Sequence, residues 1–217
     1  MRLLLATFLL LALPAGASAA EVTLDVEPAD VRFGTAHEAT GSLTEAGAPL
    51  AGQTVTLTAR AYPYQGAFEP AGEATTGPDG RFTIKRRFER NVQLRASAPV
   101  QGAVSRLVRA YVFPRASITF RSLGGDRIRI LQTYRVPRGV RFTAPTLFYA
   151  GPRGARTGPV IGRAKPRRLS PGRFRATLAY TLPSGWNGRF RYGTCFRYSE
   201  GSGLGDPRAG CPKRFRF

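Results

Sequence analysis

The chain is 217 residues long, with 33 Lys and Arg against 13 Asp and Glu, a formal net charge of +20, and 25 Gly and 17 Pro spread along it. Breakers that frequent leave little room for long amphipathic helices. With two cysteines and one histidine, a four-ligand zinc site of the usual kind is excluded as well.

Arg2 is followed by an apolar run from Leu3 to Leu13, interrupted at Thr7, and then by the small residues Ala17-Ser18-Ala19. This order predicts a cleaved secretory signal over residues 1–20, with the mature chain starting at Ala20 or Glu21. The run is about half the ~20 residues a membrane-spanning helix needs. No later segment approaches that length, so the expected location is secreted, extracellular or in the cell envelope, and not membrane-spanning.

Past the signal, alternation with period two recurs between Gly and Pro punctuation, which predicts an all-β fold. Expected strands in the first half are Val22 to Val26, Ala39 to Thr44, Thr54 to Tyr62, Gly72 to Thr76, Arg81 to Phe88, Val92 to Ala96 and Arg106 to Phe113. Seven short strands suggest an immunoglobulin-like sandwich over residues 21–115. Within it, Val55, Leu57, Ala59 and Ala61 face one way while Thr54, Thr56, Thr58 and Arg60 face the other. Pro78-Asp79-Gly80 supplies a tight turn, since Pro presets φ, Asp bonds its own backbone and Gly accepts a positive φ.

These segments carry a recognisable pattern: Gly41-x-Leu43, then Pro49-Leu50-Ala51-Gly52-x-x-Val55-x-Leu57, then Thr75-Thr76-x-x-x-Gly80-Arg81-Phe82. Over Glu38 to Ala98 the chain resembles the bacterial immunoglobulin-like and carboxypeptidase-regulatory-like (transthyretin-like) modules of secreted proteins. The resemblance implies a β-sandwich acting as spacer, adhesion module or carrier, and it supplies no catalytic residue.

Acidic residues thin out around Pro114 to Ser117, where a second, basic sandwich over residues 116–217 is expected to begin. Its expected strands are Ile118 to Leu123, Arg127 to Val136, Thr146 to Tyr149, Val160 to Arg163, Phe174 to Leu182, Phe190 to Tyr198 and Arg214 to Phe217. Asn187-Gly188 is a favourable tight-turn dipeptide. Gly201, Gly203 and Gly205 mark a flexible loop, and the chain should end in a buried strand rather than in a barrel's terminal strand. Together the halves give tandem β-sandwiches.

Charge divides with them. Residues 21–115 hold 11 basic and 10 acidic side chains, and residues 116–217 hold 21 basic and 3 acidic. Cys195 and Cys211, sixteen apart in an exported chain, are expected to form a disulfide. Their spacing is too wide for a Cys-x-x-Cys redox pair.

In the second half Arg alternates with apolar residues: Arg127 and Arg129 with Ile128 and Ile130, Arg173 and Arg175 with Phe174 and Ala176, Arg189 and Arg191 with Phe190 and Tyr192, Arg214 and Arg216 with Phe215 and Phe217. If those strands share a sheet, one exposed face becomes an arginine field suited to phosphate or carboxylate. The densest cluster, Arg163, Lys165, Arg167, Arg168 and Arg173, is expected in a loop and is the first candidate contact region. Expected partners are an anionic cell-wall polymer or an acidic glycan. A DNA-binding role conflicts with export and lacks a recognition helix.

A catalytic constellation is not expected, nor are a metal or a cofactor. His37 fits a structural or surface role. Asp25, Glu27 and Asp30 lack the Gly-centred loop of a calcium motif, and Trp186 is either a turn or core aromatic or a sugar-stacking platform. The expectation is a secreted, non-enzymatic structural or binding module. Its rival is a secreted hydrolase whose carboxylates, from Glu21 to Asp30 and from Glu69 to Asp79, converge in space.

Overall fold

The computed structural model describes residues 19–142, 144–186, 189–196, 201–206 and 209–217. The expected signal segment up to residue 18 and the Asn187-Gly188 turn lie outside the described residues.

Among those residues the protein is all-β, apart from two single-turn helices at Pro99–Gln101 and Ser184–Trp186. The first half contains β1 (Ala20–Val22), β2 (Asp25–Glu27), β3 (Asp30–Arg32), β4 (Ala36–Glu45), β5 (Ala48–Pro49), β6 (Thr54–Ala61), β7 (Glu69–Thr75), β8 (Arg81–Arg87), β9 (Val92–Ala98), β10 (Ala103–Val104) and β11 (Val108–Phe113). The second half contains β12 (Arg115–Gly124), β13 (Arg127–Arg135), β14 (Thr146–Pro152), β15 (Thr157–Ala164), β16 (Arg167–Ser170), β17 (Arg173–Thr181), β18 (Phe190–Phe196) and β19 (Arg214–Arg216).

Four sheets result. In the first half β4 pairs with β1, β2, β5 and β8, opposite a sheet ordered β3-β11-β9-β6-β7 with β10 beside β9. In the second half a sheet ordered β12-β13-β17-β16 lies opposite one ordered β18-β14-β15-β19. These are tandem β-sandwiches, and their sheets fit a general immunoglobulin-like arrangement. The expected first strand is interrupted: β1 and β2 share one register on β4, and between them Thr23 still donates its N–H to Ser42 O at 2.8 Å.

The pattern residues of the first half knit the turns to the sheet. Thr76, 4 % exposed, donates its hydroxyl to Leu50 O at 2.6 Å and accepts from Gln53 N at 2.9 Å. Gly52 N donates to Thr76 O, and Leu43 N donates to Gly80 O, both at 2.9 Å. Gly80 has φ of +71°, and a Cβ there would lie 2.6 Å from Leu43 O, so glycine is required twice over. Around these turns Leu43, Val55, Leu57, Phe82, Ile84, Leu94 and Ala96 form the first core.

The second core is built on Ile128, Ile130, Tyr134, Phe148, Phe174 and Phe196, and it takes in Val31 and Val112 of the first half. Phe142 lies edge-on to both Phe174 and Phe196, with ring centroids 4.9 and 4.6 Å away. Two polar pairs tie its sheets together: Tyr134 Oη with Thr146 Oγ1 at 2.8 Å, and Thr194 Oγ1 donating to Gln132 Oε1 at 2.5 Å.

The glycine-rich segment departs from its expected role as a flexible loop. Ser202 and Leu204 are 1 % and 2 % exposed, and Leu204 joins the second core. Asn91 donates its backbone N–H to Gly203 O at 2.8 Å and its side-chain Nδ2 to Gly205 O at 2.7 Å. Its Oδ1 accepts from Val112 N at 2.9 Å, while Gly205 N donates to Val112 O at 2.8 Å. Gly203, at φ +65°, lies against the Tyr62 ring, where a Cβ would come within 2.8 Å. A buried asparagine using both ends of its amide thus docks the second half's loop onto the first. The expected Cys195–Cys211 disulfide is present, with Cα atoms 5.6 Å apart, and it closes the chain around this loop.

The last strand is an edge strand, not the buried one expected. Phe215 and Phe217 are half-buried and lie over glycines: a Cβ on Gly193 would meet the Phe215 ring, and one on Gly151 the Phe217 ring. Tyr149 completes the cluster, its ring 5.3 Å from that of Phe215 and its hydroxyl donating to Pro212 O at 2.8 Å.

Two stability outcomes follow from these buried polar contacts. Thr76→Val should cost about 1–3 kcal/mol, because Leu50 O and Gln53 N lose their partner, whereas Thr76→Ser should cost less. Asn91→Ala should cost about 1–3 kcal/mol for each of Gly205 O and Val112 N left unpaired. Urea unfolding midpoints measure both; an Asn91→Ala midpoint equal to the parent's would mean that the loop contributes nothing by docking.

Candidate polyanion-binding face

The β12-β13-β17-β16 sheet turns one face inward and one to solvent. Burying Ile128, Ile130, Tyr134, Phe174 and Ala176 forces the intervening residues of β13 and β17 outward, since side chains alternate along a strand. Register then lines the outward residues up across strands. Arg115 lies opposite Arg135, and Arg135 opposite Arg173. In the adjacent row Ser117 lies opposite Thr133, Thr133 opposite Arg175, and Arg175 opposite Arg167. Toward the other end of the sheet, Arg121 opposes Arg129, with Arg127 beyond them.

All of these arginines are exposed. Strands lie about 4.8 Å apart, and like charges directly opposite one another destabilise a sheet by a few tenths of a kcal/mol to about 1 kcal/mol. Among the described residues no carboxylate forms an ion pair with them. The resolved ion pairs, Arg81 with Asp79 and Lys85 with Glu38, belong to the first half. Asp126 sits in the β12-β13 turn, at the opposite end of β13 from Arg135.

The candidate contact region read from sequence divides over this framework. The stretch from Arg163 to Arg173 is mostly strand rather than loop, because Arg167–Ser170 pairs with β17 as an edge. Arg167 and Arg173 belong to the outward arginine rows. Arg168 opposes Phe174 and so projects on the other side of that sheet. Lys165 occupies the turn between β15 and β16. Arg163 lies on β15 in the opposite sheet, where its neighbour Gly162 faces Leu178 and Arg163 therefore points away from the core. Arg191, Arg214 and Arg216 also belong to that second sheet. Arg115 and Arg135 were not singled out from sequence, each being one basic residue at a strand end; only the register brings them beside Arg173.

The first half holds an open groove of about 900 Å³, lined by Glu21 and Asp25 from the β1-β2 edge, by the hydroxyls of Thr23, Thr40, Ser42, Thr44 and Thr83, and by Asp79 and Arg81. The two acidic segments of the hydrolase reading do meet in this groove. Asp79 is engaged within its own turn, its Oδ1 accepting from Arg81 N at 3.1 Å and its Oδ2 lying 3.7 Å from the guanidinium. Among the described residues, no three His, Cys, Asp or Glu side chains cluster as metal ligands. Trp186 sits half-buried in its short turn against Tyr180, ring centroids 6.4 Å apart.

His37 is buried, 1 % exposed. Its Nε2 lies 3.2 Å from Tyr111 O, which can only accept, so Nε2 carries the proton and the buried Nδ1 is left without a partner. Burial pushes its pKa below the ordinary value, opposed by the Tyr111 and Ala29 carbonyls and by Asp30.

No family model and no curated protein sequence matches the chain. A solved structure of Escherichia coli alpha-2-macroglobulin activated by porcine elastase is similar over 83 % of this chain, at 10 % identity and a TM-score of 0.36. The chain spans 22 % of that protein's length. Among the described residues no helix is long and apolar enough to cross a membrane.

Because the folded chain holds His37 neutral while the unfolded chain protonates it near pH 6.5, its contribution is intact above that pH. It declines as the pH falls toward the lower folded-state pKa, by at most about 1.4 kcal/mol per unit. Urea midpoints at pH 7.5 and 5.5 should differ for the parent and differ less for His37→Gln. Equal slopes in the two proteins would assign the pH dependence elsewhere.

Proposed function

We propose that the chain is an exported, non-enzymatic binding module, divided near residue 115 into an immunoglobulin-like sandwich and a basic one that holds an anionic polymer of the cell envelope. The resemblance of residues 38–98 to carboxypeptidase-regulatory-like modules fits a first sandwich that acts as spacer or carrier. The observation that carries the reading is the outward ladder Arg115-Arg135-Arg173 with Arg175 and Arg167 beside it. A face of guanidiniums set opposite one another is an unfavourable way to finish a sheet. It becomes favourable once phosphates or carboxylates supply the missing charge and accept the forked N–H donors.

A second reading, a hydrolase using the first-half groove, draws on the meeting of Glu21, Asp25 and Asp79 there. Turnover of an envelope polymer that Asp25→Asn and Asp79→Asn both abolish would establish it in place of the first.

The full mature chain should be retained at about 50 mM salt on resins carrying phosphodiester or polygalacturonate polymers. It should elute as salt rises, because counterions compete for the arginines. Failure to bind at low salt, or retention indifferent to salt, contradicts the binding reading.

A further inference from the structure

Resting on that reading, we propose that Arg115, Arg135 and Arg173, together with the hydroxyls of Ser117 and Thr133, form one discrete site for a phosphate group carried as an ester on the bound polymer. These residues line a concavity of about 270 Å³ at one end of the outward face, along with Ala116. The volume suits one tetrahedral oxyanion and the alcohol carbon it is esterified to, and is too small for a folded segment or a whole sugar chain.

The donor set decides the chemistry. Each guanidinium presents five N–H donors in a rigid fork, and each hydroxyl adds one more. Three forks stand in one row on adjacent strands, about 4.8 Å apart, and border the concavity. A planar carboxylate has two oxygens in one plane and satisfies one fork well. A phosphate spreads its oxygens over a tetrahedron and can accept from all three forks and from the hydroxyls between them. Among the described residues no acidic side chain forms an ion pair with the three arginines. The rest of the face differs: Arg121 and Arg129 sit six residues along the strand, about 20 Å away. Their row holds two arginines rather than three, since Arg129 faces Ala179 on its other side.

The test titrates the full mature chain with inorganic phosphate, glycerol 3-phosphate, dimethyl phosphate and acetate, following amide shifts by NMR and the melting temperature. Two variants remove equal charge from the same face: Arg135→Gln with Arg173→Gln at the site, and Arg121→Gln with Arg129→Gln outside it. Removing opposed like charges leaves the sheet intact, which circular dichroism verifies.

The expected result is saturable binding of inorganic phosphate at one equivalent, with acetate at least tenfold weaker. Affinity should fall at least tenfold in the site variant and less than twofold in the outside variant. Binding of either ester supports the site. Tighter binding of the monoester points to chain ends as the source, and tighter binding of the diester points to repeats. Equal losses in the two variants, acetate binding as tight as phosphate, or no saturable phosphate binding would overturn the site; if polymer retention persists, the binding function stands without it. Loss of polymer retention by the parent chain at low salt would remove both.

Discussion

The pleat of β13 is the constraint on which the rest of the structure depends. Ile128, Ile130 and Tyr134 must enter the second core, where they are at most 4 % exposed. The strand therefore has no freedom to turn Arg127, Arg129 or Arg135 anywhere but outward. A one-residue slip would exchange the two sets and bury three guanidiniums, so the hydrophobic face pins the register strongly. Because β13 is hydrogen-bonded on both sides, its register also fixes where Arg115 and Arg173 stand. The arginine ladder is thus a by-product of core packing in its position and a departure from ordinary sheet design in its content.

The same logic explains why the two sandwiches are joined as they are. Pro114 alone separates β11 from β12, and Val31 and Val112 of the first half pack into the second core. A further tie comes from later in the chain. The 201–206 segment leaves the second sandwich and inserts Leu204 into its core, while its carbonyls bond to Asn91. With Cys195 and Cys211 closing the base of that excursion, the loop is held as an ordered bridge between the two halves.

Much of the fold was legible because a half-buried strand writes its burial as period two. Thr54–Ala61, Arg81–Arg87 and Arg127–Arg135 carry that alternation cleanly, and the turn chemistry at Asp79-Gly80 marks a reversal without tertiary help. β16 was missed because Arg-Arg-Leu-Ser has no alternation and is exposed throughout; only its pairing with β17 makes it a strand. The docked loop was misread because three glycines signal freedom locally, whereas here Gly203 and Gly205 supply positive φ and Gly203 a close approach to Tyr62. The candidate site suffered from the same limit. Density of basic residues along the chain favoured the stretch from Arg163 to Arg173, but two opposed sheets share that stretch. Density in space arises from three strand ends that lie far apart in sequence.

The central claim is that positive charge is gathered on one face and is used there. The direct measurement is an NMR titration of the arginine Nε–H resonances with a phosphodiester polymer at low salt. The account predicts that Arg115, Arg135, Arg173, Arg175 and Arg167 shift together, while Arg163 and Arg214 of the opposite sheet stay in place. Shifts distributed evenly over all these arginines would contradict it.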